Sequence, residues 1–152
     1  KLSSSGLSNI GYGTWRLNYE IQEVEIIEEE VTYTVEYAVD KTIGSGDNSV
    51  YVYYYDTYKK YAETCGHSIW ECKIGRTDKD PLQRIFGQAG TCYPELPHIA
   101  LIMKCSNSFQ LESALHNILK LRNRWIENAP GTEWFLTSPA EVESFYHMIV
   151  GE

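Results

Sequence analysis

A fixed order of strand-like and helix-like segments between residues 50 and 152 most constrains what this chain can fold into. Residues 50–55 and 69–74 are rich in β-branched and aromatic residues, as strands usually are, and residues 98–105 form a third, apolar run. Segments with helical spacing follow the second and third of these strands. We therefore predict an α+β fold in which a small central antiparallel or mixed β-sheet is flanked by helices.

Three helices are predicted from the residues that can cap their N-termini, namely Asp80, Asn107 and Ser138. The first has a proline at its first position and is expected to end near Gly90, and the second near Arg124. A brief strand at residues 133–136 precedes the third helix. We interpret the polar stretch between residues 55 and 69 as a long loop that joins the first two strands in a hairpin.

The N-terminal third of the chain has a different composition. Residues 1–49 carry three Lys and Arg against nine Asp and Glu, whereas the rest of the chain carries ten against twelve. Residues 1–16 look like a Ser- and Gly-rich lead-in, while the patterns of residues 17–27 and 31–39 predict a β-hairpin. The Gly- and Ser-rich cluster at residues 44–49 then indicates a boundary. We therefore predict two domains, an acidic N-terminal extension of residues 1–49 and a main domain of residues 50–152.

Composition also bounds the class of protein. The longest apolar runs, such as residues 99–103, are far shorter than the roughly 20 residues that a membrane helix needs, so we expect no membrane association. The four cysteines lie far apart without a Cys-x-x-Cys motif, which favours free thiols in a reducing, cytoplasmic compartment. A zinc site built from Cys65, His67 and Cys72 is an alternative, although no fourth ligand is evident.

Several short motifs lie on the predicted strands and helices of the main domain. Arg84 follows Gly75 by nine residues, and Glu112 and His116 are one helical turn apart. In chain order the motifs are Tyr51-Val52-Tyr53, Lys73-Ile74-Gly75, Arg84, Glu112 with His116, and Glu133-Trp134-Phe135. This set resembles the GIY-YIG nuclease superfamily, and within it a phage- and bacterial-type branch that has Lys-Ile-Gly in place of Tyr-Ile-Gly.

The resemblance implies a metal-dependent endonuclease that hydrolyses phosphodiester bonds in DNA. Glu112 would bind the metal, Mg²⁺ or Mn²⁺, and Arg84 would clamp the scissile phosphate through its bidentate guanidinium. Tyr53 and Lys73 would activate the attacking water, and His116 would supply a hydrogen bond or carry a proton. Neighbouring phosphates would be bound by Arg76, Thr77 and Lys79.

Two departures from the family pattern keep a second interpretation open. Lys73 replaces the second tyrosine, and Tyr51 stands where a glycine opens the first motif. The net charge of -8 also differs from the basic surface that nucleic-acid-binding proteins usually show. The alternative is a catalytically degenerate module that binds nucleic acid or a protein on the same fold, or that serves only as a scaffold.

The acidic extension is not part of the motif-bearing domain, so we expect a separate role for it. It is interpreted as an element that docks a protein partner, forms a homodimer, or mimics DNA and covers the site. This last hypothesis rests on its charge alone.

Overall fold

A computed structural model describes residues 7–11, 14–17, 38–89 and 94–152. The chain forms two compact units, residues 1–37 and residues 38–152.

In the first unit, strands β1 (Leu7–Gly11) and β2 (Thr14–Leu17) pair antiparallel. The segment interpreted as a lead-in thus contains a pair of strands. The predicted hairpin falls on residues 17–39, and nearly all of it lies outside the described residues.

The second unit contains a five-stranded mixed sheet flanked by four helices, which confirms the predicted α+β fold. The strand order is β3-β6-β4-β5-β7; β3 is parallel to β6, and the other neighbours are antiparallel. The strands are β3 (Val39–Gly44), β4 (Asn48–Tyr54), β5 (Trp70–Thr77), β6 (His98–Cys105) and β7 (Trp134–Thr137). The helices are α1 (Asp56–Thr64), α2 (Pro81–Ala89), α3 (Ser108–Leu121) and α4 (Pro139–Val150). Within the described residues, no helix has both the length and the apolar character needed to cross a bilayer.

The glycine-rich cluster that predicted a domain boundary instead forms the short connection between β3 and β4, two strands of one sheet. Strand β3 lies before the cluster and pairs with β6, so the sheet begins earlier than the predicted boundary at residues 44–49. At Gly46 the backbone has a φ of +137°, and an added Cβ would lie 2.3 Å from the Cys105 carbonyl. Only glycine fits where the chain passes this close to the end of β6.

Helix α1 occupies the stretch that was predicted to be a long loop, and that prediction is wrong. Its N-cap residue, Tyr55, makes no side-chain capping bond. Instead the Glu95 carboxylate accepts hydrogen bonds from the Thr57 backbone N–H at 3.0 Å and from the Thr57 hydroxyl at 2.6 Å. A backbone N–H at the start of the helix is therefore hydrogen-bonded by a residue 38 positions further along the chain. The sequence next to the helix contains no signal of this cap.

The alternation of side chains along β4 divides the core into two layers. Val50, Val52 and Tyr54 belong to the larger cluster, which packs beneath α3 and α4. Tyr51 and Tyr53 belong to the smaller cluster, on the opposite face of the sheet beneath α2. Both tyrosines of the first motif therefore face α2, the helix that contains Arg84.

Candidate active site

An open cavity of about 440 Å³ lies where the end of β5, the start of α3 and helix α2 come together. Five of the predicted site residues line it, namely Arg76, Thr77, Lys79, Arg84 and Glu112. The cavity is completed by Asp78, Phe109 and Glu133, which the sequence analysis did not assign to the site. Its wall thus contains three cationic and three acidic side chains.

Glu112 is the most constrained of these groups. Its side chain is 12% exposed, and its Oε2 lies 3.3 Å from Nε of Arg76. The other oxygen, Oε1, is buried and has no hydrogen-bond partner among the described residues. Burial, together with the negative charge of Glu133, raises the pKa of Glu112 to about 7, although Arg76 acts in the opposite direction. A buried carboxylate with an unpaired oxygen is a suitable ligand for a hard cation.

Arg84 reaches the cavity because α2 starts at Asp80. The Asp80 carboxylate accepts the backbone N–H of Leu82 at 2.9 Å, as an N-cap does, and places Arg84 on the first turns of the helix. Arg84 also interacts with the hydroxyl of Tyr51 and lowers its pKa, but burial outweighs this effect. The pKa of Tyr51 is raised to about 12 by burial and by the charges of Glu133 and Glu112.

Tyr51 lies across Gly75, the last residue of the Lys-Ile-Gly motif. The two residues are direct partners in β4 and β5, and a Cβ on Gly75 would come within 2.5 Å of the Tyr51 hydroxyl. The absence of a side chain at Gly75 therefore allows the Tyr51 ring to extend toward Arg84. There its hydroxyl donates a hydrogen bond to Gln88 Oε1 at 3.1 Å.

Tyr53 and Lys73, the predicted water-activating pair, do not line the cavity. Tyr53 is only 2% exposed, and its ring packs edge-on against Trp134 with 5.8 Å between centroids. Lys73 Nζ lies 5.9 Å from that ring, 3.5 Å from Oε2 of Glu133 and 3.3 Å from Oε1 of Gln88. Lys73 is thus linked to the cavity through Glu133. Tyr51 is the tyrosine that reaches toward Arg84, but it is 1% exposed and, like Tyr53, does not line the cavity.

His116 is also outside the cavity. Its Nε2 donates a hydrogen bond to the Ile74 carbonyl at 2.9 Å, and its ring lies 4.7 Å from that of Phe135. Burial lowers the pKa of His116 and so favours the neutral ring, whereas the hydrogen bond to the Ile74 carbonyl acts in the opposite direction. This hydrogen bond joins α3 to β5 one helical turn after Glu112, so His116 has a structural role here rather than a place in the cavity.

Two further residues of the cavity lacked a clear sequence signal. Glu133 brings a second carboxylate close enough to raise the pKa of Glu112. Glu133 is the first residue of the Glu133-Trp134-Phe135 motif, but the motif alone does not indicate that the Glu133 side chain faces the site. Phe109 is 62% exposed, and the Arg76 guanidinium lies 5.4 Å from the centre of its ring. An exposed phenylalanine on the first turn of a helix has no pattern that would have identified it.

The residues present fit a magnesium-like ion better than zinc. Among the described residues, no group of three or more His, Cys, Asp or Glu side chains could hold a metal. The Cys65, His67 and Cys72 alternative therefore does not form, and the buried Cys72 thiol instead donates to the Thr137 carbonyl. Glu112 and Glu133 provide oxygen ligands only, and Mg²⁺ commonly binds one or two carboxylates while it retains several waters.

Comparison with protein families finds that residues 49–150 match the family described as the T5orf172 domain. No curated protein and no solved structure gives a match. The matched segment contains every residue of the cavity.

Proposed function

Because this chain belongs to the T5orf172 domain family, which is related to nuclease-like folds, we propose that it is a metal-dependent DNA endonuclease of the GIY-YIG type. The observation that carries the proposal is the meeting of Arg84 with Glu112 in one open cavity. They come from helices on opposite faces of the sheet, yet the order and spacing of the motifs predicted their association. A phosphodiesterase needs this pair, a cation for the phosphate and a carboxylate for the metal.

Glu112 would hold Mg²⁺ or Mn²⁺, with Glu133 as a second oxygen ligand or as a partner for bound water. Such an ion would lower the pKa of a bound water and stabilise negative charge on the phosphate. The cavity balances three cationic against three acidic side chains, so its protein groups alone carry no net positive charge. A divalent cation bound by these carboxylates would add the positive charge that attracts a DNA phosphate. The site is therefore consistent with DNA as the substrate despite the acidic composition of the chain.

Arg84 would bind the scissile phosphate, because its guanidinium presents paired N–H donors that match two phosphate oxygens. Arg76 and Lys79 would contact flanking phosphates at the end of β5 and in the loop that follows. Arg76 has a second effect, since its charge beside Glu112 favours the ionised carboxylate. Thr77 contributes to this loop by accepting the Lys79 backbone N–H at 3.0 Å.

Tyr51, which like Tyr53 is buried and does not line the cavity, would position Arg84 by accepting a hydrogen bond from its guanidinium. With a pKa near 12, its hydroxyl is protonated at neutral pH and does not act as a base, and its proton is donated to Gln88 Oε1. Lys73 would hold Glu133 in place through their 3.5 Å ion pair. In this arrangement Tyr53 packs behind the site, and His116 keeps Glu112 in position by anchoring α3.

The test is nicking of supercoiled plasmid DNA with Mg²⁺ or Mn²⁺. We expect Glu112→Gln and Arg84→Ala each to lower the nicking rate by at least about a hundredfold, as loss of a single charge-stabilising group often does. Glu127→Gln and Arg122→Ala are matched controls, because both residues are exposed and lie outside the cavity. Equal rates for wild type and Glu112→Gln would contradict the proposed site.

A binding module that does not cut is the second candidate, and the lysine at position 73 favours it. A lysine cannot supply the hydroxyl that the second tyrosine has in the simplest family pattern. In this case DNA would bind with an affinity that depends on Arg84, but no plasmid would be nicked with either metal.

A further inference from the structure

A second cavity, of about 670 Å³, lies on the same face of the sheet as α2 and apart from the first. Three aromatic side chains form part of its wall, namely Tyr55, Tyr58 and Trp134. The remaining apolar lining residues are Pro94, Ile126, Ala129 and Pro130. Its volume is within the range of pockets that bind small organic ligands, and none of the roles assigned above uses it.

The three aromatic rings differ in accessibility, because Tyr55 is only 6% exposed and Tyr58 is the most exposed of the three. The rings of Tyr55 and Trp134 are stacked, with 6.2 Å between centroids and an interplanar angle of 21°. Tyr58 tilts against Tyr55 at 6.5 Å and is 46% exposed, so its ring remains open to a ligand. Stacked and exposed aromatic rings favour a planar, unsaturated ligand that can lie against them.

The polar groups of the cavity exclude a phosphate and favour a ligand that donates hydrogen bonds. Among the described residues that line it there is no Lys or Arg. The Glu95 carboxylate is already engaged by Thr57. The Glu71 carboxylate, by contrast, accepts no hydrogen bond from any described residue, and Asn128 lies on the same rim. An exocyclic amino group would find its acceptor at Glu71.

One face of β5 extends from the second cavity to the first. Because side chains alternate along a strand, Glu71, Lys73 and Thr77 face the same side of the sheet, with Glu71 at the second cavity and Thr77 at the first. Lys73 lies between them, directly opposite Trp134 in β7. The distance along β5 from Glu71 to Thr77 is about 20 Å, which a few nucleotides of single strand can span.

We propose that the second cavity binds an unpaired nucleobase of the DNA strand whose phosphate occupies the first cavity. The base would stack on Tyr58 and contact Trp134, and Lys73 would contact the connecting phosphate. Glu71 would favour bases with an exocyclic amino group, such as cytosine, over thymine. This inference rests on the proposed function, because the identity of the ligand follows from DNA being the substrate.

Fluorescence anisotropy of the full chain with labelled oligo(dC), oligo(dT) and a hairpin duplex tests the proposal, with Ca²⁺ in place of Mg²⁺ to limit cutting. Tyr58→Ala removes the exposed ring of the cavity. Its matched control is Tyr61→Ala, since Tyr61 lies on the same helix, is 72% exposed and does not line the cavity. Glu71→Ala is compared in the same way with Glu63→Ala, an exposed glutamate of α1.

We expect Tyr58→Ala to weaken binding of both oligonucleotides about tenfold, as loss of one stacking partner does, and to leave duplex binding unchanged. Glu71→Ala should remove a preference for oligo(dC) over oligo(dT), and both controls should match wild type. Full oligonucleotide affinity in Tyr58→Ala would overturn the proposal. A ratio of dC to dT affinity that is the same in Glu71→Ala and wild type would overturn the assigned base preference.

The outcome is separable from that of the nuclease proposal. Plasmid nicking by wild type, combined with full single-strand affinity in Tyr58→Ala, would eliminate the base-binding cavity alone. Tyr58-dependent binding of single strands without nicking would support the cavity and eliminate the endonuclease.

Discussion

At the scale of single residues, Glu112 in the candidate site and Tyr51 beside it have surroundings that oppose their ionised forms. Glu112 is the clearest case, because burial and Glu133 raise its pKa from the ordinary value of 4.5 to about 7. A carboxyl group whose pKa is higher in the folded state stabilises the fold only at low pH. That contribution is complete below the unfolded pKa and is lost as pH rises through the folded pKa. Above pH 7 the ionised Glu112 therefore destabilises the fold.

We predict that Glu112→Gln is more stable than wild type at about pH 8, by roughly 2–3 kcal/mol according to the size of the pKa shift. The difference should shrink toward zero as the pH falls below 4.5, where wild-type Glu112 is largely protonated in both states. Urea unfolding followed by circular dichroism at a series of pH values measures this difference. An advantage of equal size at both pH values would show that the charge of Glu112 is not its source.

The two glycines at positions 75 and 87 give a matched pair of substitutions. An alanine at Gly75 would place its Cβ about 2.5 Å from the rigid, buried ring of Tyr51, whereas Gly87, in helix α2, has nothing within 4 Å of an added Cβ. We predict that Gly75→Ala lowers the free energy of unfolding by about 1–3 kcal/mol and impairs nicking by displacing Tyr51. Gly87→Ala should raise the free energy of unfolding by up to about 1 kcal/mol, because alanine favours a helix.

Unfolding curves and nicking rates for both variants check this pair. Equal effects of the two substitutions would mean that the ring of Tyr51 does not need the open face of Gly75.

At the scale of helices and strands, the sequence predicted the start of each helix that is capped by a nearby residue and missed the one helix that is capped by a distant residue. Helices α2, α3 and α4 have caps within their own sequence: Asp80, Asn107 and Ser138 each accept a nearby backbone N–H. Local sequence therefore predicted where they start. Helix α1 is capped from Glu95, so its start depends on the tertiary fold.

We predict that Glu95→Ala lowers the free energy of unfolding by about 1–2 kcal/mol, because it removes the acceptor at the start of α1. Amide hydrogen exchange should become faster in residues 57–64 and change little in α3. Glu127→Ala is the control, since that side chain is exposed and makes none of the described hydrogen bonds. Unchanged exchange in α1 would show that packing alone holds the helix.

The same distinction applies to the site. Motif order and spacing located Arg84, Glu112 and the loop from Arg76 to Lys79, because these positions follow from strand ends and helix turns. The choice between Tyr51 and Tyr53 depends on which ring extends past Gly75, and two residues on one face of a strand have the same pattern. Glu133 and Phe109 depend on how distant elements pack, which local spacing does not specify.

At the scale of the whole molecule, charge is distributed unequally between the two units. Residues 1–37 contain two Lys and Arg against seven Asp and Glu, a net charge of -5, so of the total of -8 residues 38–152 carry -3. The sheet begins with β3 at Val39, so a deletion that ends at residue 49 would remove an edge strand. A chain of residues 38–152 retains all five strands, four helices and both cavities.

We predict that this shorter chain folds and binds DNA more tightly than the full chain, because less negative charge opposes the approach of phosphates. The gain should be largest at about 20 mM salt and much smaller at about 200 mM, where screening shortens the range of charge interactions to under 10 Å. Full-length Glu28→Gln, Glu29→Gln, Glu30→Gln is the matched variant, since it removes three charges without shortening the chain.

An affinity gain in the short chain but none in this variant would mean that the N-terminal unit excludes DNA by its bulk. Equal affinity and nicking in all three proteins would show that the acidic unit acts on neither and would leave partner docking as its predicted role.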